Sequence, residues 1–278
     1  MTPRDLIRKA ADSFRRAGVP DPEYDSSVLL SSLTGQAPLL LRVDTETILD
    51  DDMHDRFQAL CERRLRREPL QYILGETSFC GFLFHVDPRV LIPRPETELL
   101  CEWALDALSG ADRPKVLDLC CGSGCLGITL KLRLPAASVW ASDLSADALA
   151  VARENASRLN ADVCFVRSDL FADLTGESFD LIVSNPPYIP SAECGTLQPE
   201  VMREPLSALD GGNDGLALYR RICREAPHHL RPGGFLMMET GDGEAASVSF
   251  LMRESGFTAI EIRNDYQSLP RMIGGTLS

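Results

Sequence analysis

The chain has 278 residues, 44% hydrophobic and 25% charged, enough for one large domain or two modest ones. Asp and Glu outnumber Lys and Arg by 41 to 28, and this acidic balance argues against free nucleic acid as a partner, since phosphate binding needs a basic footprint. No apolar run approaches the roughly 20 residues that span a bilayer, and the start Met1-Thr2-Pro3-Arg4-Asp5 lacks a secretory apolar stretch, so a cytoplasmic protein without membrane contact is expected.

Residues 1–75 read as helices. Leu6, Ile7, Ala10, Ala11, Phe14 and Ala17 recur at helical spacing, with Gly18 as the stop. Asp21-Pro22 supplies an N-cap and a first-turn proline for a second helix running to Gly35. A third covers about 51–67, with Met53, Phe57, Leu60 and Leu65 inward and Pro69 ending it. Its basic run Arg63-Arg64-Leu65-Arg66-Arg67 reads as a solvated helix face. Residues 76–94 form a linker: Gly81 between two aromatic-rich runs signals a hairpin, and the proline-bracketed Ile92-Pro93-Arg94-Pro95 leads into a helix over 98–108.

From Lys115 strands and helices alternate, with strands at 115–119, 138–142, 162–167, 179–184, 234–239 and 257–262. Helices at 124–134, 145–159, 214–230 and 243–255 separate them. Alternation predicts crossover units and an α/β fold, a mostly parallel sheet covered on both faces, over 95–278. A last short strand near Arg271-Met272-Ile273 is expected to run antiparallel at the end of the sheet.

Nine cysteines, an odd and scattered set, read as packing residues in a reducing compartment, and no metal site is expected. The four histidines match no ligand spacing or nucleophile motif.

Two motifs carry chemistry. The first is the strand and turn Val116-Leu117-Asp118-Leu119-Cys120-Cys121-Gly122-Ser123-Gly124, in which Gly122, Gly124 and Gly127 satisfy G-x-G-x-x-G. The glycines let a ligand approach the backbone at the top of the first strand. Asp118 favours a ligand bearing an amino group over a pyrophosphate, which it would repel. Asp143 ends the second strand, 25 residues beyond Asp118, where an acid grips the two hydroxyls of a ribose. The second motif is Asn185-Pro186-Pro187-Tyr188, which ends the fourth strand. Two prolines stop ladder pairing and leave a stiff corner with free carbonyls. Asn185 adds an amide and Tyr188 an aromatic face, so the corner suits a planar nitrogen group held by two acceptors. In a sheet of order 3-2-1-4-5 the fourth strand lies beside the first, and both motifs face one crevice.

Asn-Pro-Pro-Tyr resembles the amino-group methyltransferases that use S-adenosylmethionine. The ordered set Ile92 to Glu98, Asp118 to Gly124, Asn185 to Tyr188 and Gly211-Gly212-Asn213-Asp214-Gly215-Leu216 resembles the protein-(glutamine-N5) methyltransferases that modify peptide-chain release factors. The resemblance implies a Rossmann-like methyltransferase fold with an antiparallel last strand, preceded by a substrate-recognising helical domain. It implies S-adenosylmethionine bound by Asp118, Cys120, Cys121, Gly122, Ser123, Gly124, Asp143, Asp169, Leu170 and Asn185. It implies catalysis by Asn185, Pro186 and Tyr188, with Pro187 beside them in the substrate site, on a class-1 release factor as partner. No direct nucleic-acid partner is expected, and the protein is read as a monomer. Cys120 and Cys121 depart from the glycine and small residue that many relatives carry. Two alternatives remain: an adenine-N6 methyltransferase of DNA or RNA, which faces the same geometric problem, and a non-catalytic module that keeps the pocket.

Overall fold

A computed structural model describes all 278 residues, which divide into two compact units: Met1–Gly75 with Gln198–Arg203, and Glu76–Leu197 with Glu204–Ser278.

The first unit is helical: α1 (Pro3–Arg16), α2 (Pro22–Thr34), α3 (Pro38–Val43), α4 (Asp51–Leu65) and α5 (Leu70–Leu74). The Thr2 hydroxyl accepts the Asp5 N–H at the start of α1, and Asp50 accepts the Met53 N–H at the start of α4. Gly35 ends α2 with φ +70°, but the Asp21 side chain makes no capping bond, and Pro22 alone marks that start. Leu6, Phe14, Leu29, Leu30, Leu41 and Phe57 form the core.

Two expectations fail on α4. The buried stripe is Phe57, Cys61 and Arg64, whereas Leu65 is exposed. The basic run is therefore not a solvated face. Arg64 is 3% exposed and bonds Asp25 at 2.7 Å and Glu200 at 2.8 Å. Arg67 grips both oxygens of Glu200 at 2.6 Å, and Arg63 those of Glu68 at 2.9 and 2.5 Å. Asp25 and Glu200 lie far along the chain, and helical periodicity cannot announce them.

The second unit opens with the hairpin β1 (Glu76–Phe79) and β2 (Phe82–His85), then α6 (Pro95–Ala107). It continues as β3 (Lys115–Leu119), α7 (Cys125–Arg133), β4 (Ser138–Asp143), α8 (Ala146–Arg158), β5 (Val163–Arg167) and β6 (Phe179–Ser184). The chain closes with α9 (Ala217–Glu225), β7 (Leu230–Glu239), α10 (Ala245–Glu254), β8 (Phe257–Asn264) and β9 (Pro270–Leu277). The seven-stranded sheet has the order β5-β4-β3-β6-β7-β9-β8. Strands β5 to β7 are mutually parallel, and β9 alone is antiparallel to its neighbours. The last strand is therefore not at the sheet's end: it is inserted between β7 and β8, and β8 forms the edge. Gly274 and Gly275 lie in β9, where an added Cβ would meet the Trp103 ring at 2.7 Å or Met252 at 3.0 Å.

The strands bury both faces, as a helix-covered sheet requires. Val116, Leu181, Val183 and Met237 pack with Phe79, Phe84, Leu100 and α7. The alternate positions Leu117, Ile182, Leu236 and Met238 pack with Tyr219, Ile222 and Val248. The ladder pairs Leu119 with both Ser142 and Ser184. The next residues of the three strands, Cys120, Asp143 and Asn185, thus leave the sheet side by side, where β3 and β6 lead away in opposite directions.

Candidate active site

A cavity of about 360 Å³ opens at this carboxyl edge. Of the residues singled out from sequence, Asp118, Cys120, Cys121, Gly122, Ser123, Asp143, Asp169, Leu170, Asn185 and Pro187 line it. Gly124, Pro186 and Tyr188 do not.

Asp118 is 1% exposed, and its Oδ2 accepts the Gly127 N–H at 2.8 Å. Gly127 is required there, because a Cβ would lie 2.9 Å from that oxygen. Asp118 Oδ1 has no protein donor. Burial pushes the carboxyl up to about 7, against the bond from Gly127. A buried carboxyl with one free oxygen is suited to a cationic amino group, which would ionise it.

The turn's shape comes from three left-handed residues: Cys120 (φ +62°), Gly122 (φ +53°) and Gly124 (φ +77°). A glycine would take the first without strain, so Cys120 holds roughly 1–2 kcal/mol of backbone strain. Two side chains secure the turn. Asp143 Oδ2 accepts the Gly122 N–H at 2.9 Å while its Oδ1 accepts the Ser145 N–H at 2.8 Å. Burial raises this carboxyl also, opposed by those backbone donors. Asn155, buried on α8, donates to the carbonyls of Ser123 and His85 at 3.0 Å and accepts the His85 N–H at 2.7 Å, which ties the turn to β2. Ser142 lines the cavity, and its Oγ is buried without a partner. Asp169 is paired with Arg221 at 2.9 Å, and Leu170 beside it adopts φ +52°.

At the corner, Ser184 Oγ donates to the Leu119 carbonyl at 2.6 Å and clamps β6 to β3. The chain beyond is fastened to the glycine-rich loop: Ile189 N–H donates to the Leu209 carbonyl and Gly211 N–H to the Ile189 carbonyl, at 2.9 and 2.8 Å. A Cβ on Gly211 would lie 2.6 Å from Tyr188 Cα, so the loop glycines permit this contact. The Tyr188 ring packs toward Gly241 and the core beneath β7. The expected aromatic face in the crevice is thus turned inward, where apolar contact is available.

Asn185 Nδ2 donates to Thr97 Oγ1 at 3.1 Å, and Thr97 Oγ1 donates to Glu239 Oε2 at 2.6 Å. Asn185 Oδ1 has no protein partner. The proline-bracketed segment also lines the cavity, and behind it Glu204, buried, accepts the Ile92 N–H at 3.0 Å and pairs with Arg94 at 2.6 Å. Sequence reasoning missed Thr97, Ser142, Asn155, Glu204 and Glu239. Thr97 lay within the Ile92-to-Glu98 motif without being singled out, and Glu239 carried a signal as the lone acid ending the apolar run Phe235 to Met238.

Comparison with known proteins places these features in a family context. Residues 5–75 match the PrmC N-terminal domain and residues 97–213 the methyltransferase small domain. A release factor glutamine methyltransferase of Chlorobaculum tepidum is 44% identical, over 96% of this chain and 94% of its own. Proteins of the same name from Geobacter sulfurreducens and Deinococcus radiodurans are each 42% identical, covering 98% and 97% of this chain and 96% of their own. Among solved structures, a Pyrococcus furiosus methyltransferase superposes with a TM-score of 0.54 at 18% identity, over 77% of this chain and 98% of its own. A T. thermophilus 16S rRNA N2 methyltransferase in complex with AdoMet and guanosine has a TM-score of 0.54 at 22% identity, over 73% of this chain and 50% of its own. At such identities the two structures share the fold.

Proposed function

The chain belongs to the release factor glutamine methyltransferase family, and from that premise we propose that it methylates the side-chain amide nitrogen (N5) of the glutamine in the Gly-Gly-Gln motif of class-1 release factors. The observation that carries this reading is Asn185 at the cavity wall beside the glycine turn, its Nδ2 tethered and its Oδ1 free.

The residues present fit S-adenosylmethionine. The free Asp118 oxygen would hold its amino group, Asp143 the ribose hydroxyls, and Asp169 with Leu170 the adenine. When bound, the cofactor supplies a methyl on a sulfonium, an activated electrophile that needs no strong base.

An amide nitrogen is a poor nucleophile because its lone pair is delocalised into the carbonyl. Asn185 Oδ1 would accept one of its N–H bonds, and the carbonyl of Pro186, a residue set behind the cavity lining, would have to turn toward the acceptor to take the other; together they would orient the nitrogen and favour a pyramidal geometry. Alignment of this kind is worth up to roughly 7–11 kcal/mol in well-positioned systems. Tyr188, partly buried, supports the corner by packing against the core. The helical unit 1–75 serves to recognise the protein substrate, since a short glycine-rich loop offers the cavity little surface. No helix is long and apolar enough to cross a membrane, and the reading is of a cytoplasmic monomer acting on protein alone. The relatives' names disfavour the adenine-N6 alternative.

The test is mass analysis of release factor, duplex DNA and RNA after incubation with the protein and isotopically labelled cofactor. Label on the Gly-Gly-Gln glutamine alone is expected. Label on adenine with none on the release factor would refute the reading.

A further inference from the structure

Asn185 works as an acceptor only if its amide is the right way round, and the amide alone does not decide that. Both orientations have the same shape, and only hydrogen-bond partners distinguish them. In this protein the decision is made two side chains away. Thr97, in the first turn of α6, is 4% exposed, and Glu239, the last residue of β7, is 2% exposed. The Thr97 hydroxyl has one proton, spent on Glu239 Oε2 at 2.6 Å, which leaves its lone pairs for Asn185 Nδ2 at 3.1 Å.

Resting on the reading of Asn185 above, we propose that Thr97 and Glu239 are positioning residues that set the polarity of the Asn185 amide: ionised Glu239 takes the Thr97 proton, Thr97 takes an Asn185 Nδ2 proton, and Oδ1 is left facing the acceptor nitrogen. Protonating Glu239 reverses the chain. Its carboxylic proton then donates to Thr97, the Thr97 proton turns to Asn185, and the amide must flip to receive it. Asn185 then presents N–H groups to the substrate's own N–H groups, and the acceptor is no longer held.

The surroundings of Glu239 make this reversal accessible near neutral pH. Burial, the largest influence, drives the carboxyl up to about 7, and Glu96 acts in the same direction. The Thr97 hydrogen bond and the cations Arg271 and Arg94 oppose it. Tyr188 and Tyr219 are the remaining titratable neighbours; burial pushes both above their ordinary range, so they stay neutral here. Tyr219 also pins the strand end by donating to the Glu239 carbonyl at 2.8 Å.

The experiment measures kcat on a release factor from pH 5.5 to 8 with cofactor saturating, which removes any effect of pH on cofactor binding. Wild type is expected to show an acid limb, kcat falling about tenfold per pH unit below about 7. Thr97→Val, nearly isosteric, lowers kcat at pH 7.5 by about 10- to 100-fold with cofactor affinity unchanged, because orientation acts on the chemical step. Thr97→Ser restores most of that loss. Glu239→Gln has a lower plateau but no acid limb. A Thr97→Val rate within twofold of wild type overturns the relay, as does an acid limb that persists in Glu239→Gln. Should Thr97→Val fail to fold by thermal melting, the Glu239→Gln profile decides alone. A wild type that leaves the release factor unmethylated at every pH is a different result and refutes the function itself.

Discussion

Asp118 offers the most quantitative test of the cofactor site. Its carboxyl is buried with a folded pKa of about 7. A bound amino cation requires it ionised, so cofactor binding releases a proton wherever the free protein holds one. Ionisation rises from about one tenth at pH 6 to one half at pH 7, which predicts a five- to sixfold gain in affinity over that unit. Above about pH 8 the ligand's own amino group deprotonates and affinity falls again. Asp118→Asn should remove the acid limb and weaken binding at pH 7.5 by about 1.5–3 kcal/mol, the scale of a hydrogen bond to a charged group. The same carboxyl governs stability with the opposite sign. It shifts from an ordinary 3.8 to about 7 on folding, so its contribution is fully present below 3.8 and lost as pH rises through 7. That loss amounts to about 4 kcal/mol, and Asp118→Asn should flatten it. Calorimetry in buffers of different ionisation heat, paired with urea titrations across pH, reads both effects. Cofactor affinity independent of pH between 6 and 7, with no difference between wild type and Asp118→Asn, would refute the assignment of this oxygen to the amino group.

Asn185→Ala should leave cofactor affinity within a few-fold by calorimetry while methyl transfer falls by about 10² or more, since the lost contact acts on the chemical step; near-normal turnover would end the clamp reading. Arg64→Ala strands Asp25, a largely buried carboxylate, and leaves Glu200 to Arg67 alone, and should cost about 3–5 kcal/mol in chemical denaturation; a cost below about 1 kcal/mol would show that water or rearrangement replaces the guanidinium. A chain beginning at Glu76 should still bind S-adenosylmethionine if it folds, yet lose most activity on intact release factor, chiefly through a higher KM; unchanged kinetics would assign the helices another role.

Much of this protein is determined by local sequence. Strand-helix alternation dictates crossovers, crossovers dictate a parallel sheet, and the residues that follow β3 and β6 must then meet at one edge. The glycine turn and the proline corner were legible for that reason: backbone sterics demand those residue types wherever the chain turns sharply or stops pairing. Periodicity was equally sufficient for α1 and for the apolar strands. What it could not supply was any fact about partners distant in sequence. The place of β9 between β7 and β8 depends on Gly274 and Gly275, which admit Trp103 and Met252. Arg64 looked like a surface charge until Asp25 and Glu200 were brought to it. The Tyr188 ring turned to the core because apolar neighbours were there. Asn185 announced itself as an amide at a corner, but which of its two atoms faces the cavity was settled by Thr97, 88 residues away, and behind it Glu239. Local geometry follows from the covalent chain and its periodicity, whereas hydrogen-bond polarity and the protonation of buried acids depend on neighbours that only folding assembles.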